Sequence, residues 1–212
     1  MILLVDIWHD LRIGRITASR LHETSRCTST SGVLATKFLG DRGGFSFAMM
    51  RGTVLEEHVF NEIQKEYPEL RQAGTVINPQ IHPFVSASPD GIHDDFVLEI
   101  KCPLNDKTHS THIDITKLSK KYFGQIQLQM HLTKKKLALL AVAAVDFETT
   151  RDITKLWIPY DKEYIENLID EAVEFYKIAI FPKLMNRYRE KPTIISGSTS
   201  SERPPSKRYR KN

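Results

Sequence analysis

Three stretches of the chain place apolar residues at the three- and four-residue spacing of a helix. The first covers residues 51–67, the second covers 119–132, and the third is a long stretch that follows Asp161. Apolar side chains at this spacing share one face, so each stretch predicts a helix packed against a core. Pro68 lies just past the first helix, Asp161 can cap the third, and Pro182 should bend or end it.

Four shorter stretches predict β-strands. They cover residues 75–77, 84–87, 96–101 and 137–145. The last is a continuous apolar run between polar segments, which is typical of a central strand buried on both faces. Asp90-Gly91 predicts a turn between the second and third strands. Strands interleaved with helices predict an α/β or α+β domain, with a central mixed β-sheet flanked by helices.

The composition is that of an ordinary globular protein. The chain has 212 residues, of which 41% are hydrophobic and 26% are charged, enough for one large domain or two very small ones. These proportions exclude disorder, a collagen-like repeat and a coiled coil as the dominant structure of the chain. No apolar run reaches the roughly 18 residues of a membrane span, and residues 1–7 are too short for a signal peptide. We therefore expect a soluble intracellular protein.

The cysteines and histidines exclude several kinds of site. Cys27 and Cys102 are the two cysteines of the sequence, too few for a disulfide scaffold, a four-thiolate zinc site or a cysteine-ligated iron–sulfur cluster. We expect Cys102 to be a packed thiol rather than a nucleophile. Four histidines show no zinc-ligand spacing with the cysteines and are expected to be structural or surface residues: His9, His58, His82 and His93.

The basic character of the chain is confined to its C-terminal end. Residues 193–212 hold five bases and one acid, which account for the whole net charge of +4. The segment is also rich in serine and nearly empty of core-forming residues, so it predicts a disordered basic tail. Its basic run, 207–211, fits a nuclear localisation signal, a loose phosphate contact or a plain solvated tail. The folded domain is therefore expected to cover residues 1–192, and the nucleus stays open as a location.

Candidate catalytic chemistry lies between Ser88 and Lys101. Asp90 is followed, after eight intervening residues, by Glu99-Ile100-Lys101. Side chains alternate across a strand, so Glu99 and Lys101 point to one face while Ile100 points into the core. A hairpin-like return can bring Asp90 beside Glu99, and carboxylates that converge with a lysine suit Mg²⁺. Such a metal can activate water and stabilise phosphate charge, while Lys101 holds or deprotonates the water or neutralises that charge.

Spacing alone leaves a simpler interpretation open. Glu99 and Lys101 could form a cross-paired charge on an exposed strand face, because Asp-x8-Glu-x-Lys occurs by chance in many chains. The apolar residues between Phe96 and Ile100 surround these charges, and Pro89-Asp90-Gly91 lies upstream. Charges among apolar residues need a purpose, so this context makes a functional site about as well supported as a surface ion pair and leaves both interpretations open.

Four sequence blocks, taken together and in order, resemble one nuclease family. They are residues 8–19 (WHDLRIGRITAS), Arg51-Gly52 with Glu56, residues 88–91 (SPDG) with 98–103 (LEIKCP), and residues 122–130 (YFGQIQLQM). The pattern resembles the PD-(D/E)xK nuclease superfamily, and more closely the lambda exonuclease group, also called the YqaJ-like viral recombinase or alkaline exonuclease domain. The resemblance implies a restriction-endonuclease-like core and hydrolysis of DNA phosphodiester bonds that depends on Mg²⁺ or Mn²⁺.

The resemblance also implies roles for the residues that match the catalytic motifs. Asp90 and Glu99 would be metal ligands, together with the backbone carbonyl of Ile100. Glu56 would be the helical acid that completes the metal site, directly or through water. Lys101 would be the catalytic lysine.

Further matching residues surround this expected metal site. Gln125 would orient water or phosphate. Arg12 and Ser19, with Ser88 and Lys107, match the family positions that grip a terminal 5′ phosphate, although the family usually has arginine where this chain has Lys107. Guanidinium and hydroxyl groups suit that purpose because both donate hydrogen bonds to phosphate oxygens.

The function implied by the resemblance is that of an exonuclease working inward from duplex 5′ ends. It would leave 3′ single strands for recombination or repair. A structure-specific endonuclease on the same core, a catalytically silent DNA-binding module and an interaction scaffold are the alternatives. The complete set of Asp90, Glu99 and Lys101 argues against a silent module. The expected partner is a double-stranded DNA end; a single-strand annealing protein and a homo-oligomer, such as the ring trimer of some relatives, stay open.

Two regions depart from the family pattern. Residues 24–47 are rich in Ser, Thr and Gly and match no block, so they could form a mobile DNA-facing loop or a helix pair. Seven residues precede Trp8, and we expect no N-terminal extension for DNA loading.

Overall fold

The computed structural model of the protein describes residue 7 and residues 9–40, 47–80 and 82–190. Trp8 and the predicted tail, residues 193–212, lie outside the described residues. So do residues 41–46 of the segment that matched no family block. The described rest of that segment contains the last two residues of one helix, Leu21–Ser25, the short helix Val33–Lys37 and the first residue of the helix Phe47–Glu66, so the choice between a loop and a helix pair stays a prediction.

The helices in this part of the chain, in order, are α1 (Leu21–Ser25), α2 (Val33–Lys37), α3 (Phe47–Glu66), α4 (Asp106–His112), α5 (Lys120–Thr133), α6 (Phe147–Thr150), α7 (Lys162–Phe175) and α8 (Phe181–Glu190). The three helices predicted from the apolar spacing are therefore confirmed as α3, α5 and α7. Asp161 caps α7 by accepting a hydrogen bond from the Tyr164 N–H at 3.0 Å. None of the described helices is long and apolar enough to span a membrane.

The interruption expected at Pro182 begins ahead of that residue. The α-helical bonding of α7 ends at Phe175, and a π-helical segment, Tyr176–Ile180, joins α7 to α8. Pro182 is the second residue of α8. Because proline has no N–H and its ring crowds the carbonyl of the preceding turn, a widened turn before it removes the conflict.

The described strands are β1 (Ile16–Thr17), β2 (Arg71–Gln72), β3 (Val85–Ser86), β4 (Gly91–Ile92), β5 (Phe96–Lys101), β6 (Leu137–Ala143) and β7 (Ile153–Pro159). Five of them form one sheet in the order β2-β4-β5-β6-β7, and β1 pairs with β3 in a separate parallel pair. In the larger sheet, β5 and β6 are parallel and the other neighbours are antiparallel. This confirms the predicted α/β fold with a central mixed sheet.

The predicted turn at Asp90-Gly91 is wrong. Gly91 begins β4 and pairs antiparallel with Leu98 of β5, and the chain turns later, where the His93 N–H donates to the Phe96 carbonyl at 2.9 Å. An Asp-Gly pair favours a turn locally, but here the chain only bends at Asp90, and pairing with β5 holds Gly91 in a strand. The strand predicted at 75–77 is reduced to a single bridge between Val76 and Ala87.

The sheet is buried between α3 and α5. Leu98 and Ile100 of β5 pack in one core cluster with Val59 of α3. The intervening Val97 packs in another cluster with Ile126 of α5. Each such side chain contributes about 1.5–3 kcal/mol when fully buried. Strand β5 is therefore held from both faces, and its C-terminal end is a firm platform for polar side chains.

Candidate active site

The elements around the end of β5 bring together residues distant in sequence. Asp90 precedes β4, Glu99 and Lys101 lie on β5, Glu56 lies on α3 and Gln125 lies on α5. Two hydrogen bonds fix Asp90 against β5. Its N–H donates to the Leu98 carbonyl at 3.0 Å, and its Oδ2 accepts the Ile100 N–H at 2.6 Å. The pairing of β4 with β5 thus produces the convergence that the motif predicts.

Asp90 and Glu56 are neighbouring carboxylates that line one cavity. Burial raises the pKa of Asp90 well above its usual range, and the charges of Glu99 and Glu56 raise it further. Burial likewise raises the pKa of Glu56, with a further contribution from Glu99. Carboxylates with raised pKa values at close quarters need either a shared proton or a cation.

Glu99 is bound by three donors and is only 2% exposed. Its Oε1 accepts hydrogen bonds from Lys101 Nζ and, at 2.6 Å, from Gln125 Nε2. Its Oε2 accepts a hydrogen bond from Gln129 Nε2 at 2.5 Å. The interpretation of Glu99 and Lys101 as an exposed surface pair is therefore wrong. Sequence reasoning gave Gln129 no function and missed this contact.

Lys101 is held as a cation. Burial by itself lowers the pKa of Lys101, but the charges of Glu99 and Asp90 outweigh burial and raise the pKa above its usual value. The ammonium also lies 4.9 Å from the centre of the Tyr122 ring, a cation–π arrangement that favours the charged form. His112 packs edge-on against that ring, with the centroids 5.0 Å apart. A protonated Lys101 can donate hydrogen bonds and neutralise negative charge.

A cavity of about 400 Å³ opens beside the two carboxylates. Arg12 and Ser88 line it together with Glu56, Asp90 and Ile100. Burial, followed by the charge of Arg20, lowers the pKa of Arg12 to about 10, so the guanidinium is still charged at neutral pH. The structure therefore brings Arg12 and Ser88 to the same cavity as the acids.

The other two residues expected at a phosphate site lie outside the cavity lining. Ser19 is half-buried in a 3-10 turn, Ala18–Arg20, and its hydroxyl is 3.2 Å from that of Thr17. This turn also holds Arg20, whose charge acts on Arg12. Lys107 is exposed on α4 and does not line the cavity.

Arg51 holds the helix with Glu56 against the end of the sheet. Its guanidinium donates to the carbonyl oxygens of Pro103 at 2.9 Å and Val145 at 2.8 Å. It also forms an ion pair with Glu148 at 2.9 Å. These contacts tie α3 to the segments that follow β5 and β6. Sequence reasoning noticed Arg51 within the second block but gave it no function.

The donor set fits a divalent cation without forming a finished cage. Among the described residues, no three His, Cys, Asp or Glu side chains form a group arranged to hold a metal ion. The raised pKa values of Glu56 and Asp90 nevertheless show carboxylates whose repulsion a cation would relieve. Both are oxygen donors of the kind Mg²⁺ prefers. Glu99, with both oxygens already bonded, would have to share Oε1 between its donors and a cation.

Comparisons with known proteins identify the family of the chain. The model of the YqaJ-like viral recombinase domain family matches residues 7–136, and no curated protein sequence matches the chain. An alkaline exonuclease (LHK-Exo) from Laribacter hongkongensis has a similar structure, with a TM-score of 0.70 and 26% identity, covering 88% of this chain and 98% of that one. The structure of LHK-Exo in complex with dAMP gives a TM-score of 0.71 at the same identity and coverage.

A phage-related exonuclease from Haemophilus somnus shares the fold. Its TM-score is 0.58 at 18% identity, over 85% of this chain and 99% of that one. The family match, which covers more than half of the chain, agrees with the resemblance inferred from the four blocks. The chain belongs to the YqaJ-like viral recombinase domain family, within the alkaline exonuclease-like nucleases.

Proposed function

We propose that the protein is a divalent-metal-dependent DNA exonuclease that works inward from duplex 5′ ends. It leaves 3′ single strands for recombination or repair. The observation that carries the proposal is the convergence of Asp90 with the Glu99–Lys101 pair at the end of β5, next to a cavity that Glu56, Asp90 and Arg12 line. LHK-Exo, the relative with 26% identity, is an alkaline exonuclease and has been crystallised with the nucleotide dAMP. The activity and the nucleotide complex of that relative support the proposal that this chain also hydrolyses DNA.

Mg²⁺ or Mn²⁺ is the proposed cofactor. Asp90, Glu99 and the backbone carbonyl of Ile100 would hold it, with Glu56 bound directly or through water. When bound, such a cation lowers the pKa of a water molecule and stabilises negative charge on a phosphate. The raised pKa values of Glu56 and Asp90 support this assignment, because a nearby cation favours their ionised forms.

Lys101 and Gln125 act on the reacting groups in this proposal. Lys101 pairs with Glu99, and in this proposal it neutralises the charge that develops on the phosphate, or holds or helps to deprotonate the attacking water. Gln125 has one N–H bond to Glu99. Its amide has a second N–H and a carbonyl oxygen, which can orient water or phosphate beside Lys101.

Arg12, Ser19, Ser88 and Lys107 form the proposed 5′-phosphate site. Arg12 and Ser88 line the cavity that contains Asp90. A terminal phosphate has one more negative charge than an internal one, so a partly buried guanidinium favours the end of a strand. Ser19 lies in the same 3-10 turn as Arg20, whose charge acts on Arg12. Its hydroxyl would donate a further hydrogen bond to the phosphate. The part played by Lys107 stays a prediction, as do an annealing partner and a homo-oligomeric ring.

End-labelled linear duplex and closed-circular DNA, each with Mg²⁺ or with EDTA, test the proposal. We expect the linear duplex to be degraded with Mg²⁺ while the circle stays intact, and no cleavage of either in EDTA. Asp90→Asn is the matched inactive control. Nicking of closed circles would favour the endonuclease, and binding without cleavage in any metal would favour the silent module. Full digestion in EDTA would contradict the metal mechanism.

A further inference from the structure

Gln129 is a buried amide that contacts the central carboxylate of the site. It is 0% exposed, and its Nε2 lies 2.5 Å from Oε2 of Glu99, which is 2% exposed. Gln125 lies one turn earlier on α5, and side chains four residues apart share a helix face. The two amides therefore approach Glu99 together, one at each carboxylate oxygen.

The amide of Gln129 costs stability where it lies. Its Oε1 is buried and has no hydrogen-bond partner among the described residues, and an unsatisfied buried polar atom is unfavourable. Methionine or leucine would fill a similar volume in this core without that cost. Packing therefore does not explain a glutamine here, whereas the bond to Glu99 does.

The Glu99 carboxylate needs an external constraint on its orientation. The last side-chain torsion of a glutamate is broad and roughly two-fold, so rotation can exchange its two oxygens at little cost. Only one oxygen, Oε1, bonds to Lys101 and Gln125. A donor fixed on Oε2 removes that freedom, because rotation would break its hydrogen bond inside the core.

We propose that Gln129 is a positioning residue that holds Oε2 of Glu99 against α5 and so keeps Oε1 towards Lys101 and the cation. This inference rests on the proposed function, since it assigns Glu99 a cation to face. Gln129 itself touches neither DNA nor cation. Gln129 increases the fraction of time that Glu99 spends in the orientation in which its Oε1 can bind the cation.

Gln129→Met and Gln127→Met form a matched pair for the test. Gln127 is also 0% exposed on α5, but its amide bonds at 2.8 Å to the Pro159 carbonyl and to the Asp161 N–H. Both substitutions remove a buried amide of similar size from the same helix. Only the first removes a bond to Glu99. Gln129→Glu, which keeps the size but replaces the donor by an acceptor, is the second variant.

The measurements are Mn²⁺ affinity by calorimetry without DNA, the kcat and KM for linear duplex, and Tm. For Gln129→Met we expect a 10- to 100-fold loss in Mn²⁺ affinity or in kcat, the usual scale for residues that orient a ligand, with KM for DNA near that of the parent. Gln129→Glu should lose more. Gln127→Met should lower Tm and leave Mn²⁺ affinity and kcat within about two-fold, since it does not contact Glu99.

The inference would be overturned if Gln129→Met had the same Mn²⁺ affinity and kcat as the parent. Equal losses of Mn²⁺ affinity and kcat in Gln129→Met and Gln127→Met, in proportion to their losses of Tm, would also overturn it. That result would mean that Gln129 only stabilises the fold. A parent that binds Mn²⁺ without cleaving DNA would contradict the proposed function alone. The Mn²⁺ affinities of the variants would then still show whether Gln129 positions Glu99. A parent that does not bind Mn²⁺ would overturn both proposals.

Discussion

Asp90→Asn should make the protein more stable while abolishing its activity. Asp90 and Glu56 line the same cavity, and burial, followed by the charges of Glu99 and Glu56, raises the pKa of Asp90. Asparagine has nearly the same shape and can still accept the Ile100 N–H, a bond of 2.6 Å in the parent. The substitution therefore removes the repulsion among the carboxylates and keeps the main contact of Asp90 with β5.

The magnitude follows from the close approach of the carboxylates. Two like charges about 4 Å apart repel by about 4 kcal/mol at an effective dielectric constant of about 20. The carboxyl of Glu56 has protein atoms around it, although a large part of the side chain is exposed to solvent. Water therefore screens its charge in part, and we expect roughly a quarter to a half of this repulsion, or about 1–2 kcal/mol. For a domain of this size, that gain raises Tm by about 2–8 °C.

The pH dependence gives the expected gain a definite sign. A carboxyl with a raised pKa in the folded state takes up its proton more readily when folded than when unfolded. Its stabilising effect is present below the unfolded pKa, about 3.9 for Asp, and is lost as pH rises through the raised folded pKa. Asparagine does not titrate, so Asp90→Asn does not lose this stability as the pH rises. Its advantage in Tm over the parent should therefore be greatest at alkaline pH and should disappear towards about pH 4.

Thermal unfolding in EDTA between pH 4 and pH 9 checks this prediction. Asp170→Asn, an exposed change on α7, is the control and should stay within about 0.5 kcal/mol of the parent. A saturating cation should reverse the order, because binding at 100 times Kd stabilises the parent by about 2.7 kcal/mol. An Asp90→Asn protein less stable than the parent at pH 8 in EDTA would refute the description of a repulsive carboxylate cluster.

Three further predictions concern single residues near the cavity. Lys101→Ala should lower kcat by about two or more orders of magnitude because a charge contact is lost in the transition state, and near-parental turnover in a steady-state assay would contradict this. Arg12→Ala should erase the preference for 5′-phosphorylated over 5′-hydroxyl duplex in a side-by-side digestion; a preference that survives would place the phosphate elsewhere. Burial raises the pKa of Cys102 to about 11, so iodoacetamide should alkylate it slowly at pH 8 relative to Cys27, as mass spectrometry can measure.

The sequence was sufficient for the elements with strong periodicity. Strand β6 packs into the core along nearly all of its length, and α3 does so between Leu55 and Ile63, so their apolar spacing identifies them. The convergence of Asp90 with Glu99 was also predictable. The eight residues between them are enough for one antiparallel return, and the structure makes that return through β4.

Short strands were not predictable from spacing. Strand β4 has two residues, fewer than a hydrophobic period needs, and its extended conformation depends on pairing with β5. The local Asp-Gly signal therefore indicated a turn that tertiary hydrogen bonding overrides. The same limit applies to β1, which also has two residues and pairs with β3. Strand β3 is the exception, because Val85–Ser86 lies within the strand predicted at 84–87.

The glutamines of α5 show why part of the site was missed. Gln125, Gln127 and Gln129 alternate with apolar residues, a pattern typical of a half-exposed surface. Helix α5 instead packs on the sheet on one side and near α7 and the turn before α1 on the other, so two of these amides are fully buried. Buried amides must find partners, and which partner each one finds depends on contacts far away in sequence.

The central claim is that the acids around Asp90 hold a divalent cation, and crystals grown with Mn²⁺ test it most directly. Anomalous scattering should show a peak beside the Asp90 carboxylate and the Ile100 carbonyl, with Glu56 in reach directly or through water. The peak should be absent from Asp90→Asn crystals grown in the same way. Crystals of active protein that show no Mn²⁺ in this cavity, or the same peak in Asp90→Asn, would contradict the claim.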